Sequence, residues 1–411
     1  MEKFKPSNIK GAIDTLPGEQ ALRNRVISTL KKHFEGFGYV PIETAAVNYL
    51  ETLCYKYEEG AEIVREIYKI KDQGDRDLGL RFDLTVPFAK FIATNRNLKM
   101  PFRRYEIGKV WRNGPVKAGR LREFYQCDID VVGTTGQAIE AEMIALAVQA
   151  YLELGITPVV KYGHRKLLYQ LIADARIENI HAEKVVGIID KMEKVSREAL
   201  LLELGKFMTH AQAETLLSSF QGPQKNQEIH NLEKKLEEFG VSKYCMFTPN
   251  LARGLNVYTG TVWEVFDKKN KVTSSLGGGG RYDNIITQWI DNGLQYPAVG
   301  MSFGLEPIMT ILEAGTTHPP AIDLMIVSIN ADLHAFEISS NLRNVGARVL
   351  THFSMPPKKA MEYAHSENIP FVCIIGEKEI NQQQVTIRNM QTGKEKTYSI
   401  HDIANIMLAL G

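Results

Sequence analysis

Over residues 18–37 apolar side chains recur every fourth position, at Leu22, Val26, Leu30 and Phe34, and this spacing predicts an amphipathic helix. Gly36 and Gly38 close it, and YVPIET at 39–44 reads as a short strand. Between 64 and 133 the pattern shortens to β-rich runs: REIYKIKD, LGLRFDLT, RRYEIGKVWR and REFYQCDIDVVG. Strands parted by turn residues, with few helix-length patterns, predict an antiparallel sheet. A helical pattern returns at 136–154, and residues 177–240 are charged, helical in period and nearly free of β-branched runs. The β texture resumes over 243–310 with KYCMFT, NVYTGTVWEVF, GGGGRYDNII and AVGMSFGLEPIM. After a Thr-Thr-His-Pro-Pro linker at 316–320, strands and helices alternate to the end.

The expected organisation is α+β. It comprises a core in two parts, 1–176 and 241–315, a helical insertion at 177–240 and a small α/β domain at 321–411. The length of 411 residues, too great for one core, agrees with that division. A net charge of +1, from 49 basic and 48 acidic side chains, excludes a polybasic coat as the means of holding nucleic acid but not a folded surface that segregates charge. Cys54, Cys127, Cys245 and Cys373 are scattered with no CxxC pair, so neither a disulfide framework nor a structural metal site is expected. No leader-type apolar segment and no membrane-length apolar window occurs, and a soluble cytoplasmic protein is the expectation.

Three clusters combine polar groups with apolar strands. In Leu80–Thr85, a period of two puts Arg81, Asp83 and Thr85 on one face, which suits either a solvated sheet face or a site. The second cluster is a hairpin with a Gly-Pro turn that carries Arg103, Arg104, Lys109, Arg112, Lys117, Arg120 and Arg122, then Gln126, Asp128 and Asp130 on alternate positions. Structural ion pairs and an anionic ligand are both open readings there. The third joins Arg253, Tyr258 and the Gly277–Gly280 run, which lacks phosphate-loop spacing and suits a flexible turn or a close backbone approach.

Taken in order, these segments resemble the histidyl-tRNA synthetases, a family of class II aminoacyl-tRNA synthetases. LRFDLTVPFAKF, KVWRNGPVKAGRLREFYQCDIDVVG (motif 2), LARGLNVYTGTVWEVF (the histidine-specific signature), GGGGRYDNII and AVGMSFGLEP (motif 3) carry the resemblance, which spans roughly 9–411. It implies an antiparallel catalytic core with a helical insertion and a C-terminal anticodon-binding-type domain. It implies ATP, with Mg2+, as cofactor; L-histidine and tRNA(His) as partners; a homodimer; and no membrane.

By the same resemblance, Arg112 and Arg253 are the catalytic cations on either side of the α-phosphate, and Arg120 and Gly304 join them around ATP. Asp83 and Thr85 fall near the α-ammonium, Gln126 assists, and Asp130 and Tyr258 grip the imidazole. A carboxylate and a phenol suit a ring that offers one N–H and one acceptor.

The chain departs from the family pattern at several positions. Ala45 stands for the motif 1 proline, Asn113 for the acid after the motif 2 arginine, Asn256 for the acid after Arg-Gly-Leu, Val257 for a tyrosine, and Pro307 for the motif 3 arginine. Proline has neither charge nor N–H, so one cation for ATP is gone, and Arg120, Arg122 and Arg281 are the candidates to replace it. Three activities are compatible with the pattern: a working synthetase, a histidine-binding regulatory paralogue, and an enzyme that loads an activated amino acid onto something other than tRNA.

Overall fold

A computed structural model describes residues 5–55, 62–116, 120–178, 181–192, 195–222, 225–252, 257–313 and 322–410. The chain forms two compact units, whose larger parts are Arg23–Gly315 and Thr316–Gly411.

Helix α1 spans Pro17–Gly36, and its part from Arg23 onward, in the first unit, buries Val26, Leu30 and Phe34, as its period requires. Strand β1 (Val40–Pro41) follows. A three-stranded antiparallel sheet of β2 (Val47–Tyr49), β3 (Lys69–Lys71) and β4 (Asp77–Leu80) is accompanied by the short helices α2 (Leu50–Cys54) and α3 (Glu62–Arg65).

The period-two reading of 80–85 fails. The strand ends at Leu80, Arg81 and Asp83 are buried rather than solvated, and helix α4 (Thr85–Thr94) begins at once. Pro87 sits in the first turn of α4, where a missing N–H breaks no intrahelical bond. Asp83 Oδ1 accepts the N–H of Val86 at 3.0 Å and so satisfies one open donor of that turn.

The main sheet has eight strands. After α4 come β5 (Phe102–Trp111), β6 (Glu123–Val132), helix α5 (Gln137–Glu153), β7 (Pro158–His164) and helix α6 (Arg165–Asp174). The helical stretch then supplies α7 (Ala182–Ile189), α8 (Arg197–Leu204), α9 (His210–Ser219) and α10 (Gln227–Glu238). Side chains of Ser196, Thr209 and Asn226 cap the last three of these. β8 (Cys245–Phe247), β9 (Thr261–Asp267), β10 (Gly277–Arg281), α11 (Asn284–Ile290), β11 (Ala298–Gly304) and α12 (Leu305–Glu313) complete the unit. The strand order is β1-β5-β6-β11-β10-β9-β7-β8, antiparallel except that β1 with β5 and β7 with β8 run parallel.

The glycine run is not a turn but β10, paired on both sides within this sheet. A Cβ on Gly277 would meet Ser302 O at 2.5 Å and Tyr151 Oη at 2.9 Å, and one on Gly279 would meet Gly300 O at 2.2 Å. Bulk from α5 and neighbouring backbone therefore forbids side chains here.

The second unit carries a mixed sheet of order β13-β12-β14-β15-β16: β12 (Leu324–Ser328), β13 (Val349–Phe353), β14 (Phe371–Ile375), β15 (Gln384–Asn389) and β16 (Glu395–Ser399). With it go α13 (Asp332–Asn344), α14 (Pro357–Ser366), α15 (Glu377–Gln382) and α16 (Ile403–Leu410). Cores on the two faces of the sheet draw respectively on α13 with α16 and on α14.

Candidate active site

Strands β5, β6 and β11 lie side by side, and their register sets polar residues in rows across one face. Arg104 pairs with Asp130 and Gly300, Glu106 with Asp128 and Ser302, and Gly108 with Gln126 and Gly304. The flanking glycines clear space for charge. A Cβ on Gly300 would stand 1.8 Å from Asp130 Oδ1, and one on Gly108 would stand 2.4 Å from Arg81 Nη2. Over this face lies a cavity of about 250 Å³ that brings together Asp83, Thr85, Arg112, Gln126, Asp130 and Tyr258 with Asp128, Tyr282, Gly278 and Ser302.

The buried charges are arranged in pairs. Arg104 is fully buried, 2.5 Å from Asp130 Oδ2, with the Phe88 ring 4.3 Å from its guanidinium carbon. Tyr282 donates its hydroxyl to Asp130 Oδ1. Arg81 donates to Glu106 Oε1 at 2.9 Å and to Thr44 O at 2.7 Å. Gln126 Nε2 donates to Ser302 Oγ at 3.0 Å.

Burial pushes the Asp83 carboxyl up to about 6, against the pull of the Val86 N–H and of Arg112 and Arg104. It pushes Asp128 up to about 7, opposed by Arg104 and reinforced by Asp130. It also raises Asp130, though Arg104 and Tyr282 counter it. Carboxyls this buried favour a ligand that brings N–H groups and positive charge.

A second cavity, about 380 Å³, is lined by Arg112, Arg120, Phe124, Tyr125, Ser274, Gly304 and Pro307. It shares Arg112, Gln126, Gly278 and Ser302 with the first. Arg112 Nε donates to Phe82 O at 2.9 Å and its guanidinium lies 5.2 Å from the Phe124 ring centre, so it is held at the junction of the two cavities. Arg120 Nη2 donates to Glu66 Oε1 at 2.8 Å. Glu66 also accepts the Asn113 N–H on its backbone oxygen at 2.7 Å, and its carboxylate would lie 2.3 Å from a Cβ on Gly114. An acid from outside the hairpin thus stands beside the turn that follows Arg112.

The seven cations of the hairpin sort by partner. Arg103 donates to Glu142 and Lys109 to Glu123, and Arg104 pairs with Asp130, so these three are structural. Arg122 Nε donates to Gly114 O. Arg281 is buried against Glu140 Oε1 at 2.6 Å and Gly136 O at 3.0 Å, and lines neither cavity. Of the three candidates to make good Pro307, Arg120 alone lines the second cavity. Arg253, Asn256 and Lys117 lie outside the described residues.

Tyr282 and Ser302 line this cavity although the sequence pattern gives neither a role; Asp128 and Arg104 fall in the hairpin cluster read from the sequence, without a role assigned to either. For Asp128 a signal existed, because it alternates with Gln126 and Asp130. Tyr282 and Ser302 reach the site only through pairings more than 150 residues apart, 152 for Tyr282 with Asp130 and 176 for Gln126 with Ser302.

Comparison with known proteins places the chain among relatives. A family model described as Histidyl-tRNA synthetase matches residues 11–308, and one described as Anticodon binding domain matches 323–410. Histidine--tRNA ligase 1 of Bacillus thuringiensis subsp. konkukian is 40% identical over 97% of this chain and 99% of its own. Histidine--tRNA ligase 2 of Shouchella clausii is 36% identical over 96% and 99%. The crystal structure of histidyl-tRNA synthetase from Nostoc sp. PCC 7120 superposes with a TM-score of 0.86 at 27% identity, covering 99% of this chain and all (100%) of that one. An ATP phosphoribosyltransferase regulatory subunit/histidyl-tRNA synthetase from Bacillus halodurans C shares the fold, with a TM-score of 0.75 at 21% identity over 92% and 99%.

Proposed function

The chain belongs to the histidyl-tRNA synthetase family, and from that premise we propose that it is a histidine--tRNA ligase that activates L-histidine with ATP, taken as its Mg2+ complex, and transfers it to tRNA(His). The observation that carries this reading is the pair of adjoining cavities, one rich in carboxyls and one in guanidinium groups, with Arg112 and Gln126 on the wall of both. An amino acid with two N–H-bearing ends suits the first, and a triphosphate suits the second.

In the first step a histidine carboxylate oxygen attacks the α-phosphorus, forming the mixed anhydride and expelling pyrophosphate. In the second, a terminal ribose hydroxyl of tRNA attacks the carbonyl carbon and AMP leaves. Charge builds on phosphate oxygens, so fixed cations do most of the work. Arg112 meets the α-phosphate at the junction, and Arg253, outside the described residues, is assigned to the same phosphate by the family resemblance alone. Arg120, oriented by Glu66, meets the outer phosphates, and Gly304 lets the nucleotide approach β11.

Asp83, Thr85 and Gln126 hold the α-ammonium, and Asp130 and Tyr258 the ring. A site that hydrogen-bonds its ligand in this way rejects analogues lacking those groups by up to ~10⁴-fold. The domain matched at 323–410 reads tRNA, and its presence favours a ligase over a histidine-binding regulatory subunit. The protein acts in the cytoplasm as a homodimer. Among the described residues no helix is long and apolar enough to cross a membrane, which is compatible with that location.

Histidine-dependent ATP–pyrophosphate exchange on the purified protein tests the proposal, and exchange followed by charging of tRNA(His) is expected. The loss of the motif 3 cation at Pro307 should appear as a raised KM for ATP, since one fixed charge fewer weakens ground-state binding. Absence of exchange at any ATP concentration, with no thermal shift on adding ATP and histidine together, would sink it.

A further inference from the structure

Resting on the histidine reading above, we propose that Asp128 is a further substrate-binding residue, whose open carboxyl oxygen accepts an N–H of the bound histidine.

Position comes first. Asp128 lies on β6 midway between Gln126 and Asp130, on the same face, and lines the first cavity. It is only 3% exposed. Ser302 gives its hydroxyl to the carboxylate, yet Oδ1 is buried without a hydrogen-bond partner among the described residues. A buried acceptor left unpaired costs free energy, so a site that keeps one is arranged for a donor that arrives with the ligand.

Its neighbour Asp130 is differently placed. Tyr282 already donates to one oxygen, and the other, though without a hydrogen bond among the described residues, is ion-paired with Arg104 at 2.5 Å. Of the two acids, Asp128 therefore has the freer acceptor.

Charge points the same way. From β5, Arg104 and Glu106 face Asp128; from its own strand, Asp130; from the segment before α4, Asp83; from β11, only the Ser302 hydroxyl. Arg112, Tyr258 and Tyr282 complete the polar lining of the cavity. Glu106 is held by Arg81 and Asp130 by Arg104, which leaves Asp128 and Asp83 as the acids of the cavity without a buried ion-pair partner of their own among the described residues. Burial keeps Asp128 partly protonated near neutrality, at about 7. A cationic or N–H-bearing ligand seated against it favours the ionised form and so expels its proton.

Asp128→Asn tests this, because the amide keeps the shape and removes the charge. Calorimetric titration should show histidine affinity weakened by about tenfold to a hundredfold, with the KM for ATP unchanged and a cooperative thermal transition retained. β-Imidazolelactate, with a hydroxyl in place of the ammonium, separates the two sources of the N–H. Equal affinity of wild type and D128N for it assigns Asp128 to the ammonium, and a persisting penalty assigns it to the ring. Histidine affinity in D128N within twofold of wild type would overturn the proposal while leaving the synthetase reading intact. No histidine binding by wild type would overturn both.

Should D128N fail to fold, the wild-type protein decides. Titrations at pH 7 in two buffers of different ionisation enthalpy should show net proton release on histidine binding, since burial keeps Asp128 partly protonated there. No release would overturn the assignment.

Discussion

A carboxyl taken out of water is destabilising in its charged form, and this site contains three, Asp83, Asp128 and Asp130, around one cavity. Among the described residues, Asp130 is the one ion-paired with a buried guanidinium; Asp83 and Asp128 are lifted to about 6 and about 7. A carboxyl raised above its unfolded value binds more protons in the folded state. Its stabilising contribution is complete below about pH 4 and is lost as pH rises through 6 to 7. The ligand-free protein should therefore soften toward pH 8, and Asp128→Asn should raise its unfolding free energy there by roughly 2 kcal/mol while changing little at pH 5. Thermal or urea melts at the two pH values check this, and a mutant less stable than wild type at pH 8 would count against the buried charge as a cost. Of the eight described residues that the family resemblance implied, Asp83, Thr85, Arg112, Gln126, Asp130 and Tyr258 line one cavity, and Arg120 and Gly304 line the adjoining one. The pairing of the cations was not readable in the same way. Whether Arg104 serves a ligand or Asp130 depends on inter-strand register, and Arg281 looked free until Glu140 was folded onto it.

Strands and helices place those residues, and β10 shows how tightly. Its glycines pack under Tyr151 and Trp263 on one face and beside Tyr258 on the other. In Gly279→Ala the new Cβ would stand 2.2 Å from Gly300 O and 2.7 Å from Trp263 Cζ2, both fixed within a central sheet. We expect a loss of about 2 kcal/mol or more, the scale of overpacking without room to relax. Gly187 in α7 supplies the contrast: nothing lies within 4 Å of its Cβ position, so Gly187→Ala should gain up to ~1 kcal/mol from helix propensity. Chemical denaturation of both variants checks the pair, and a neutral Gly279→Ala would mean that β10 can shift. Legibility divides along similar lines. Helix α1, the β5–β6 hairpin and the helices between 182 and 238 follow from local period alone. Helix α4 does not, because Asp83 and Pro87 look like strand-end and breaker residues until one sees that they serve its first turn. The glycine run, with no side chains to give a period, reads as a turn, and only its pairing with β9 and β11 makes it a strand. In the second unit the sequence pattern does not mark α15 and β16, which are short and largely exposed.

For the whole molecule, the decisive fact is that each unit carries its own apolar core. In the second unit, Leu324, Ile326, Ala335, Leu342, Cys373 and Ile406 form one cluster and Met325, Val327, Ala360, Ala364 and Val372 another, all from residues beyond 321. A segment that buries apolar side chains on both faces of its own sheet meets the condition for folding alone. The chemistry assigned to Arg112, Arg120 and the carboxyls lies wholly in the first unit. A chain ending at Gly315 should accordingly retain histidine-dependent pyrophosphate exchange within a few-fold of the full chain. It should lose tRNA charging by roughly 10²-fold or more, the scale of avidity lost with one of two linked binding modules. Residues 316–411 expressed separately should unfold cooperatively by circular dichroism and bind tRNA(His) weakly, with an affinity that falls as salt rises. Unaltered charging by the truncated enzyme would assign the second unit another partner. A truncated enzyme that is folded but cannot exchange pyrophosphate would show instead that adenylate formation depends on residues beyond the two cavities.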